Sequence, residues 1–445
     1  MSVTDQSLIS ELLKRNYRDV FVDSIYQDTT LFDLIPKYSG DVRGENVNHA
    51  VELTRSHGGG ARTAGEFLPV DYPESFAQST VDLKRWYYTL SIDGFAIDLF
   101  KKGVGSFVDY LDLRMRNAQR DASNQLNRIC HMDGYGVLAV VNGASTTTTV
   151  TLKHVWPNGW QQKPTAGGTP GTGTATSYSF GATQFLEEGD SIVFSPVTWA
   201  AGAASLSGSQ KVRRIVSMNW DNQTVTLDSA VTVADGEVVF FGDSHSNSFN
   251  KEAMGLRGLI EGYAGKTVQN ISTTNRRWRS TEIDKTTAPV PYDWTHVTRI
   301  VSGSKYKGAS QPGKVTILMH PSMLEEHARL VDPDLRYSPT DFKFNKGLDV
   351  PVFDILGSRV PVRTSLHMGY QEIAAINAGE LERLELRPMD WDDRGGEIKS
   401  IQGKDAAYAF LKMYWNLAAK TLNHFSRFDG IQVDTDYVKV IQETA

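Results

Sequence analysis

A long stripe of apolar residues between positions 106 and 131 limits what this chain can fold into more than any other feature of its sequence. The spacings within the stripe are three and four residues, which is the period of one face of an α-helix. Its members are Phe107, Leu111, Met115, Ala118, Ala122, Leu126 and Ile129. They predict a helix of about seven turns, about 39 Å long, which Gly134 and Gly136 end. Because a helix is stabilised mainly by packing of its apolar face, the remaining segments have to cover a long surface.

The first 44 residues do not form a domain of their own. Leu8, Ile9, Leu12 and Leu13 predict a short amphipathic helix, and the next stretch, VFVDSIYQDTTLFDLIPKY, alternates apolar and polar residues. Neither stretch is long enough to bury itself. We therefore expect residues 1–44 to be an arm that packs on a surface supplied by something else.

Residues 45–95 predict two strands joined by a long polar loop. VNHAVEL (47–53) enters the loop and STVDLKRWYYTLSI (79–92) returns from it. The loop contains three consecutive glycines and two prolines, so it cannot form a core. Since a long isolated hairpin is marginal in water, this one is either disordered or covered by another subunit.

Residues 146–243 are rich in Ser, Thr, Gly and Val and contain short alternating segments, such as SIVFSP, KVRRIVSM and GEVVFFGD. This pattern predicts a small β-barrel or sandwich, inserted into an α/β region that continues on both sides. From residue 285 the chain alternates predicted helices and strands. Its last long segment, AAYAFLKMYW (406–415), suits a helix by composition and a strand by alternation. The fold class is α+β.

The composition excludes several classes of protein. A chain of 445 residues with 40% hydrophobic and 22% charged residues is globular and too long for one core. Its net charge of −6 argues against a dedicated nucleic-acid binder. The single cysteine, Cys130, excludes an intramolecular disulfide, and folding in a reducing cytoplasm is expected. No signal peptide and no apolar run of about 18 residues is found.

Fragments of catalytic and metal motifs occur, but none is complete. Gly265-Lys266-Thr267 lacks the glycine that a phosphate loop needs at position 260, which is Ile260. His131, Asp133 and His245 are candidate metal ligands only by residue type, because no metal-binding spacing connects them. We therefore expect no catalytic, cofactor or metal site, and no enzyme.

The order of the parts carries more information than any single motif. An arm, a long hairpin, a long helix and an α+β region follow one another, and GLRGLIEGYAGKTVQNISTTNRRWRS (255–280) joins a short helix to an aromatic–arginine–serine cluster. Together with ILMHP (317–321) and the closing HFSRFDGI, this order resembles the major capsid proteins of tailed bacteriophages with the Hong Kong 97 type fold. The resemblance spans the chain outside the β-rich block, and it decides the 406–415 segment in favour of a strand.

The resemblance implies a division of the chain into the named parts of that fold. These are an N-terminal arm (1–44), an E-loop hairpin (45–95), a peripheral domain with the spine helix (96–145), the β-rich insertion (146–243), a second peripheral segment (244–284), an axial domain (285–390) and C-terminal peripheral strands (391–445). It also implies self-assembly into hexamers and pentamers of an icosahedral head, built in the bacterial host cytoplasm, that encloses double-stranded DNA. Implied partners are other copies of the chain, a portal, and packaged DNA through weak contacts. Scaffolding is expected from a separate protein or from none, and the presence of a decoration protein is left open. No membrane partner is expected.

Several alternatives remain open at this point. An encapsulin-type nanocompartment shares the fold, and a carbohydrate-binding or hydrolytic protein built around the β block belongs to another class. The insertion either stabilises the subunit and its contacts or projects outward to bind other proteins. Lys84 lies on the hairpin, but no acceptor or catalytic carboxylate can be matched to it, so covalent crosslinking is not predicted.

The segment NRRWRS is the sharpest candidate for a contact site. Its arginines could engage acidic groups on a neighbouring subunit, with Trp278 packed as an anchor. Alternatively, the segment could pack within its own subunit or touch packaged DNA. We favour the first interpretation, because the loop of the hairpin is acidic. The predicted contact residues are Arg276, Arg277, Trp278 and Arg279 on one side and Glu66, Asp71 and Glu74 on the other.

Overall fold

The structure, a computed structural model, describes most of the chain from residue 27 to residue 432. The described residues are 27–38, 40, 42–56, 58–67, 70–93, 110–154, 181–200, 203–260, 266–285, 289–306, 315–335, 352–355, 358–392, 399–400 and 405–432. Its helices are α1 (Thr30–Leu34), α2 (Tyr110–His131), α3 (Leu256–Leu259), α4 (Trp294–Tyr306) and α5 (Pro321–Leu335). The predicted arm helix around residues 8–13 lies outside the described residues.

Helix α2 confirms the apolar stripe over the part that is described. Ala118 and Ala122 pack against one core, and Leu126 and Ile129 pack into a second one. All four side chains are at most 3% exposed. The helix therefore joins two hydrophobic clusters along its length. Neither α2 nor any other described helix is long and apolar enough to cross a membrane.

A four-stranded antiparallel sheet lies against the first half of α2. Its strands are β3 (Lys84–Asp93), β19 (Leu381–Trp391), β20 (Lys399–Ser400) and β21 (Ala406–Ala419). β21 pairs with β3 on one edge and with β19 and β20 on the other. Its alternate residues from Ala407 to Trp415 are buried, so the strand prediction for this segment is confirmed.

The predicted returning strand of the hairpin is in fact two strands. β2 (Ser75–Asp82) pairs with β1 (Asn46–Thr54), whereas β3 joins β21. The change occurs at Leu83, whose N–H donates to Glu45 O at 2.9 Å. There Asn416 Nδ2 also donates to Asp82 O at 2.6 Å, so the backbone of the turn is held by the body of the subunit.

The lower half of the hairpin packs on its own subunit. Val51 and Val81 are 8% and 4% exposed and belong to hydrophobic clusters of the body. At the base, Thr80 N–H donates to Gln269 O at 3.0 Å. The expectation that the whole hairpin needs a neighbour for support is therefore wrong for its strands, because alternate side chains of β1 and β2 find an apolar surface within the same chain.

The strands between α2 and α3 close into a six-stranded barrel in the order β10–β5–β4–β11–β6–β9. Their bounds are β4 (Val137–Val141), β5 (Thr149–His154), β6 (Ser191–Ser195), β9 (Lys211–Asn219), β10 (Thr224–Leu227) and β11 (Val238–Phe241). A separate ribbon is formed by β7 (Val197–Ala200) and β8 (Ala203–Leu206). Inward residues such as Val140, Val193 and Phe240 are at most 2% exposed and form one core. The barrel begins at β4, directly after α2, and thus before the expected start of the β-rich block.

A six-stranded mixed sheet forms the other large layer, in the order β14–β22–β18–β15–β17–β16. Its strands are β14 (Thr281–Asp284), β15 (Val315–Met319), β16 (Val352–Ile355), β17 (Ser358–Thr364), β18 (Glu372–Asn377) and β22 (Ser426–Asp429). Val297 and Ile300 of α4 pack on it. β22, which is close to the end of the described residues, lies here between β14 and β18. Its four residues are all buried, which suits an interior strand.

The described part of the arm also packs on its own chain. Leu31 and Ile35 are 0% and 2% exposed within the core that contains the end of α2. Asn127 Oδ1 of α2 accepts hydrogen bonds from the N–H groups of Leu31 and Phe32 at 3.0 and 3.1 Å. The expectation that the arm depends on an external surface is thus wrong for residues 27–35, because α2 supplies both the apolar surface and the polar partners.

Helix α3 crosses the end of α2 at very short range, and two glycines allow it. A Cβ atom on Gly255 would collide with the carbonyl oxygens of Ile129, Cys130 and Met132. One on Gly258 would lie 2.8 Å from Asp133 O. Backbone atoms cannot move aside as a flexible side chain can. The glycines of GLRGLI are therefore required by this crossing.

We expect Gly255→Ala to lower the free energy of unfolding by about 3 kcal/mol, because the new methyl group forces α2 and α3 apart. Denaturant unfolding measures the change. Gly59→Ala is the matched control, since nothing lies within 4 Å of the added atom. Equal stability of the two variants would contradict the close crossing.

Candidate subunit-contact surface

The far end of the β1–β2 hairpin exposes an unusual amount of apolar surface. We call residues 55–76 the hairpin tip. Phe67 is 96% exposed, Val70 70%, Tyr72 65% and Phe76 64%. These are half of the eight large apolar side chains that are strongly exposed in the described part of the chain. The concentration of exposed large apolar side chains in one segment makes the tip a candidate interaction surface.

Hydrogen bonds within the tip give it a defined shape. Ser56 Oγ donates to Asp71 Oδ1 at 2.9 Å, and Arg62 Nε donates to Phe67 O at 3.2 Å. Thr63 N–H donates to Glu66 Oε2 at 3.0 Å. Two of the predicted contact acids thus hold the turns of the tip together, in addition to presenting charge.

The tip is acidic overall. It contains two arginines, Arg55 and Arg62, against the three carboxylates of Glu66, Asp71 and Glu74. The hydrogen bond from Thr63 lowers the pKa of Glu66 below its usual range, so this exposed carboxylate stays ionised at neutral pH. The tip therefore combines exposed apolar groups with negative charge.

The NRRWRS segment forms a single 3₁₀ turn, Arg276–Trp278, after β13 (Ile271–Ser272). Asn275 caps the turn, since its Oδ1 accepts from Arg277 N–H at 3.0 Å. Arg276 and Arg277 are exposed, and Arg279 is half-buried. The turn therefore directs two guanidinium groups outward.

Trp278, which is predicted to pack as an anchor beside the arginines, does not belong to the exposed surface of the subunit. Its side chain is 0% exposed within its own subunit and packs in the same core as Leu126 of α2. The indole Nε1 donates to Val268 O at 3.1 Å. A wholly buried indole cannot reach a neighbour, so Trp278 anchors the loop from inside.

Within one chain, the arginines and the acids of the tip lie at opposite ends of the hairpin. The loop rests on Val268, next to Gln269, which binds the hairpin base at Thr80. No ion pair joins Arg276 or Arg277 to a tip carboxylate among the described residues. The structure thus supplies a basic surface at one end and an acidic, apolar surface at the other.

Comparison with solved structures shows which fold this is. The chain matches a capsid subunit of cyanophage A-1(L) with a TM-score of 0.54 and 12% sequence identity, over 95% of this chain and 98% of that one. It matches the capsid of an empty GTA particle with a TM-score of 0.50 and 8% identity, over 95% and 96% of the two chains. The chain has the fold of a phage major capsid protein. No protein-family model and no curated protein matches the sequence.

The candidate metal ligands of this phage capsid fold have structural partners instead. His131 Nε2 lies 2.9 Å from Ser365 Oγ, and Asp133 Oδ1 accepts from Tyr135 N–H at 2.9 Å. His245 lies in an exposed turn that Asp243 closes through backbone hydrogen bonds. In the described residues, no group of three or more His, Cys, Asp or Glu side chains is arranged to hold a metal ion.

Ser365 has an aspartate and a histidine beside it, but the arrangement is not that of a nucleophile. Ser365 Oγ donates to Asp28 Oδ2 at 2.6 Å, so the carboxylate holds the serine proton directly and does not orient the histidine. Burial lowers the pKa of His131 to about 3, and Ser365 itself is 1% exposed. The three side chains instead connect the arm, α2 and the turn after β17.

The contact residues predicted from the sequence include the acids of the tip but none of its exposed apolar side chains. Phe67, Val70 and Tyr72 lie in a stretch of glycines, prolines and charges that cannot form a core. Large apolar residues in such a loop cannot be buried in a core of the loop itself. Their presence in the sequence therefore already indicated an exposed apolar surface.

Proposed function

We propose that this chain is a major capsid protein that self-assembles into the hexamers and pentamers of an icosahedral phage head, enclosing packaged double-stranded DNA. The observation that carries the proposal is the likeness to phage capsid subunits along nearly the full length of both chains. The exposed apolar side chains of the hairpin tip support it, because large exposed apolar patches mark sites of protein–protein interaction. The role is structural, with no catalytic function.

The proposed contact is head to tail. The acidic tip of one subunit, with Glu66, Asp71 and Glu74, would lie against the loop of the next subunit that carries Arg276 and Arg277. Arg279, which is half-buried, would contribute from the side of the same loop. Because the two surfaces differ, repetition produces a ring, and small changes of angle allow rings of five or six subunits.

In the Hong Kong 97 scheme we assign residues 1–44 to the arm and 45–95 to the E-loop. The barrel would be an insertion between the spine helix and the rest of the peripheral domain, and the sheet that contains β15 would form the axial domain. The pairing of β19 with β21 suggests that the peripheral part begins again near residue 381.

The partners that follow are other copies of the chain, a portal, and separate scaffolding or decoration proteins. Contact with packaged DNA would be weak and non-specific, since the net charge is −6. The mature location would be the virion, after assembly in the bacterial host cytoplasm.

Electron microscopy of the purified chain tests the proposal, and closed shells are the expected result. Particles isolated from bacteria that produce the phage should contain nuclease-protected double-stranded DNA. An enclosed enzyme in place of DNA would favour an encapsulin-type compartment. A monodisperse monomer at every concentration would contradict a shell protein of either kind.

Reversing the charge of the loop, with Arg276→Glu and Arg277→Glu, should raise the critical concentration for assembly about tenfold. Exposed ion pairs contribute about 0.2–1 kcal/mol each, and each subunit would lose two of them and gain repulsion. Light scattering against protein concentration measures the effect. Adding Glu74→Lys to the same chain, which leaves the hydrogen bonds of Glu66 and Asp71 in the tip intact, should restore part of the assembly. If the three changes together assemble no better than the first two, the tip does not bind this loop.

A further inference from the structure

One glutamine of the subunit body holds the base of the β1–β2 hairpin. Gln269 lies in the two-residue turn between β12 (Thr267–Val268) and β13 and is 8% exposed. Its carbonyl oxygen accepts a hydrogen bond from Thr80 N–H of β2 at 3.0 Å. A buried turn of the body is therefore bonded directly to the backbone of the hairpin.

The side-chain amide of Gln269 joins the hairpin to the end of β21. One of its polar atoms lies 3.0 Å from Ser79 Oγ of β2. With the amide nitrogen on that side, the nitrogen also donates to Ala419 O at 3.0 Å, and the amide oxygen accepts from Ala419 N–H at 2.8 Å. His49, which is directly opposite Ser79 in the hairpin, also hydrogen-bonds the backbone of Ala419. Gln269 thus bridges two separate sheets at a buried polar joint.

The turn itself does not explain why a glutamine stands at this position. Gln269 and Asn270 both have a positive φ, of 50° and 67°, as in a type I′ turn. Such turns favour Asn, Asp and Gly, because other side chains are strained at positive φ. A strained glutamine in a place that suits these residues indicates a role for its side chain.

The other contacts of the hairpin with the body do not fix its angle. In the described residues its two strands pair only with each other, and they leave the body side by side, where Leu83 N–H donates to Glu45 O at 2.9 Å. Val51 and Val81 pack on apolar surfaces of the body, but apolar packing is non-directional. Two strands attached in this way can pivot about their base, whereas hydrogen bonds hold one orientation.

We propose that Gln269 is a positioning residue for assembly, which locks the hairpin at one angle to the subunit body and so aims the hairpin tip at the neighbouring subunit. The inference rests on the proposed contact between the tip and the loop with Arg276 and Arg277. The four residues from Ser79 to Ser75 carry the tip about 13 Å away from the joint, so that a rotation of about 20° displaces it by about 4 Å. A displacement of this size separates an ion pair.

The position of the turn in the chain connects the aiming residue with the receiving loop. β13 leads into the 3₁₀ turn with Arg276 and Arg277, and Trp278 Nε1 donates to Val268 O, next to Gln269. The loop is thus anchored by Trp278 and not by the side chain of Gln269. Loss of that side chain should therefore change the direction of the hairpin and leave the receiving loop in place.

Gln269→Asn tests the proposal, because asparagine tolerates positive φ but is one methylene group too short to bridge β2 and β21. Spin labels on Glu52→Cys in β1 and Arg299→Cys in α4 report the angle of the hairpin, since both positions are exposed and Cys130 is buried. Double electron–electron resonance on the unassembled subunit should give one narrow distance distribution for the chain with Gln269. The distribution should broaden or shift in Gln269→Asn.

Two further variants separate the side chain from the turn. Asn270→Gly changes the same turn, permits its positive φ and keeps Gln269, so it should leave the distance distribution unchanged. Ser79→Ala removes the partner of the amide in β2 and should broaden the distribution. Because Ser79 and Gln269 act through one contact, the double variant should be no broader than Gln269→Asn alone.

Assembly distinguishes a positioning role from a purely structural one. Gln269→Asn should raise the critical concentration for shell formation about tenfold, because the hairpin then has to be ordered when it docks. Asn270→Gly should assemble like the wild type. If the wild-type chain forms no shells, the proposed function fails, while the distances still decide whether Gln269 sets the angle of the hairpin. The positioning role is overturned if Gln269→Asn keeps the wild-type distances, or if it assembles at wild-type concentrations despite altered distances.

Discussion

Replacing Phe67 and Tyr72 with serine is expected to abolish shell formation while the subunit remains folded. These side chains are 96% and 65% exposed in the subunit, so their loss removes little packing within it. In the proposed assembly they become covered by a neighbour. Burying an aromatic side chain contributes about 1.5–3 kcal/mol, so each subunit contact would lose about 3–6 kcal/mol. That corresponds to a rise of at least about a hundredfold in the concentration needed for assembly.

Sedimentation and electron microscopy measure the loss of shells, and thermal unfolding checks that the subunit is intact. Val216→Ser is the matched control, because Val216 is 56% exposed on the barrel strand β9 and lies outside the proposed contact. Shells formed by the tip variant at wild-type concentrations would show that the tip is not an assembly contact. Loss of shells in the Val216 variant would instead place the contact on the barrel.

The helices and strands with a strong period were predictable from the sequence. The stripe from Ala118 to Ile129 fixes a helical face, and the alternation in β21 fixes a strand face, because each pattern reflects one buried surface. The buried run of β15 was recognisable for the same reason. Local sequence was sufficient for the helix and for β15, whereas the composition of β21 also suited a helix and the family resemblance was needed to decide for a strand.

The break between β2 and β3 could not be predicted, because its cause lies elsewhere in the chain. The segment 75–93 alternates almost without interruption, yet Asn416 holds the backbone at Asp82 and the two halves join different sheets. A pattern shows which face of a strand is buried but not what covers it. The packing of the arm on α2 escaped prediction for the same reason.

The polar clusters inside the subunit were also beyond the reach of the sequence. Asp28 and Ser365 are 337 residues apart and form a 2.6 Å hydrogen bond. Arg257 and Glu372 are separated by 115 residues. Such pairs have no spacing that marks them, and a charged residue in a sequence is solvated by default. Only the tertiary structure shows that these side chains are buried and which partners they meet.

In the NRRWRS segment, the arginines and the tryptophan have separate roles, although their composition suggests one shared binding surface. Arginine and tryptophan together predict a binding surface. The structure separates them, with the indole in the core and two guanidinium groups outside. One short segment therefore has two independent tasks, which a pair of variants can distinguish.

Trp278→Ala is expected to lower the free energy of unfolding by about 3–5 kcal/mol, the cost of removing a large buried aromatic side chain. The change also leaves Val268 O without the hydrogen bond from the indole. Denaturant unfolding of the subunit measures the effect. Trp220→Ala, a half-buried tryptophan at a turn of the barrel, is the control and should cost much less.

The paired loop variant, with Arg276→Glu and Arg277→Glu, should behave in the opposite way. Both side chains are exposed, so unfolding should change by no more than about 0.5 kcal/mol while assembly weakens. The two variants would then separate folding from assembly within three consecutive residues. Should Trp278→Ala leave stability unchanged and abolish assembly, the indole would have to face a neighbour. Its burial in the subunit makes the reverse outcome the expected one, because a side chain already surrounded by its own core has no surface left to offer a second subunit.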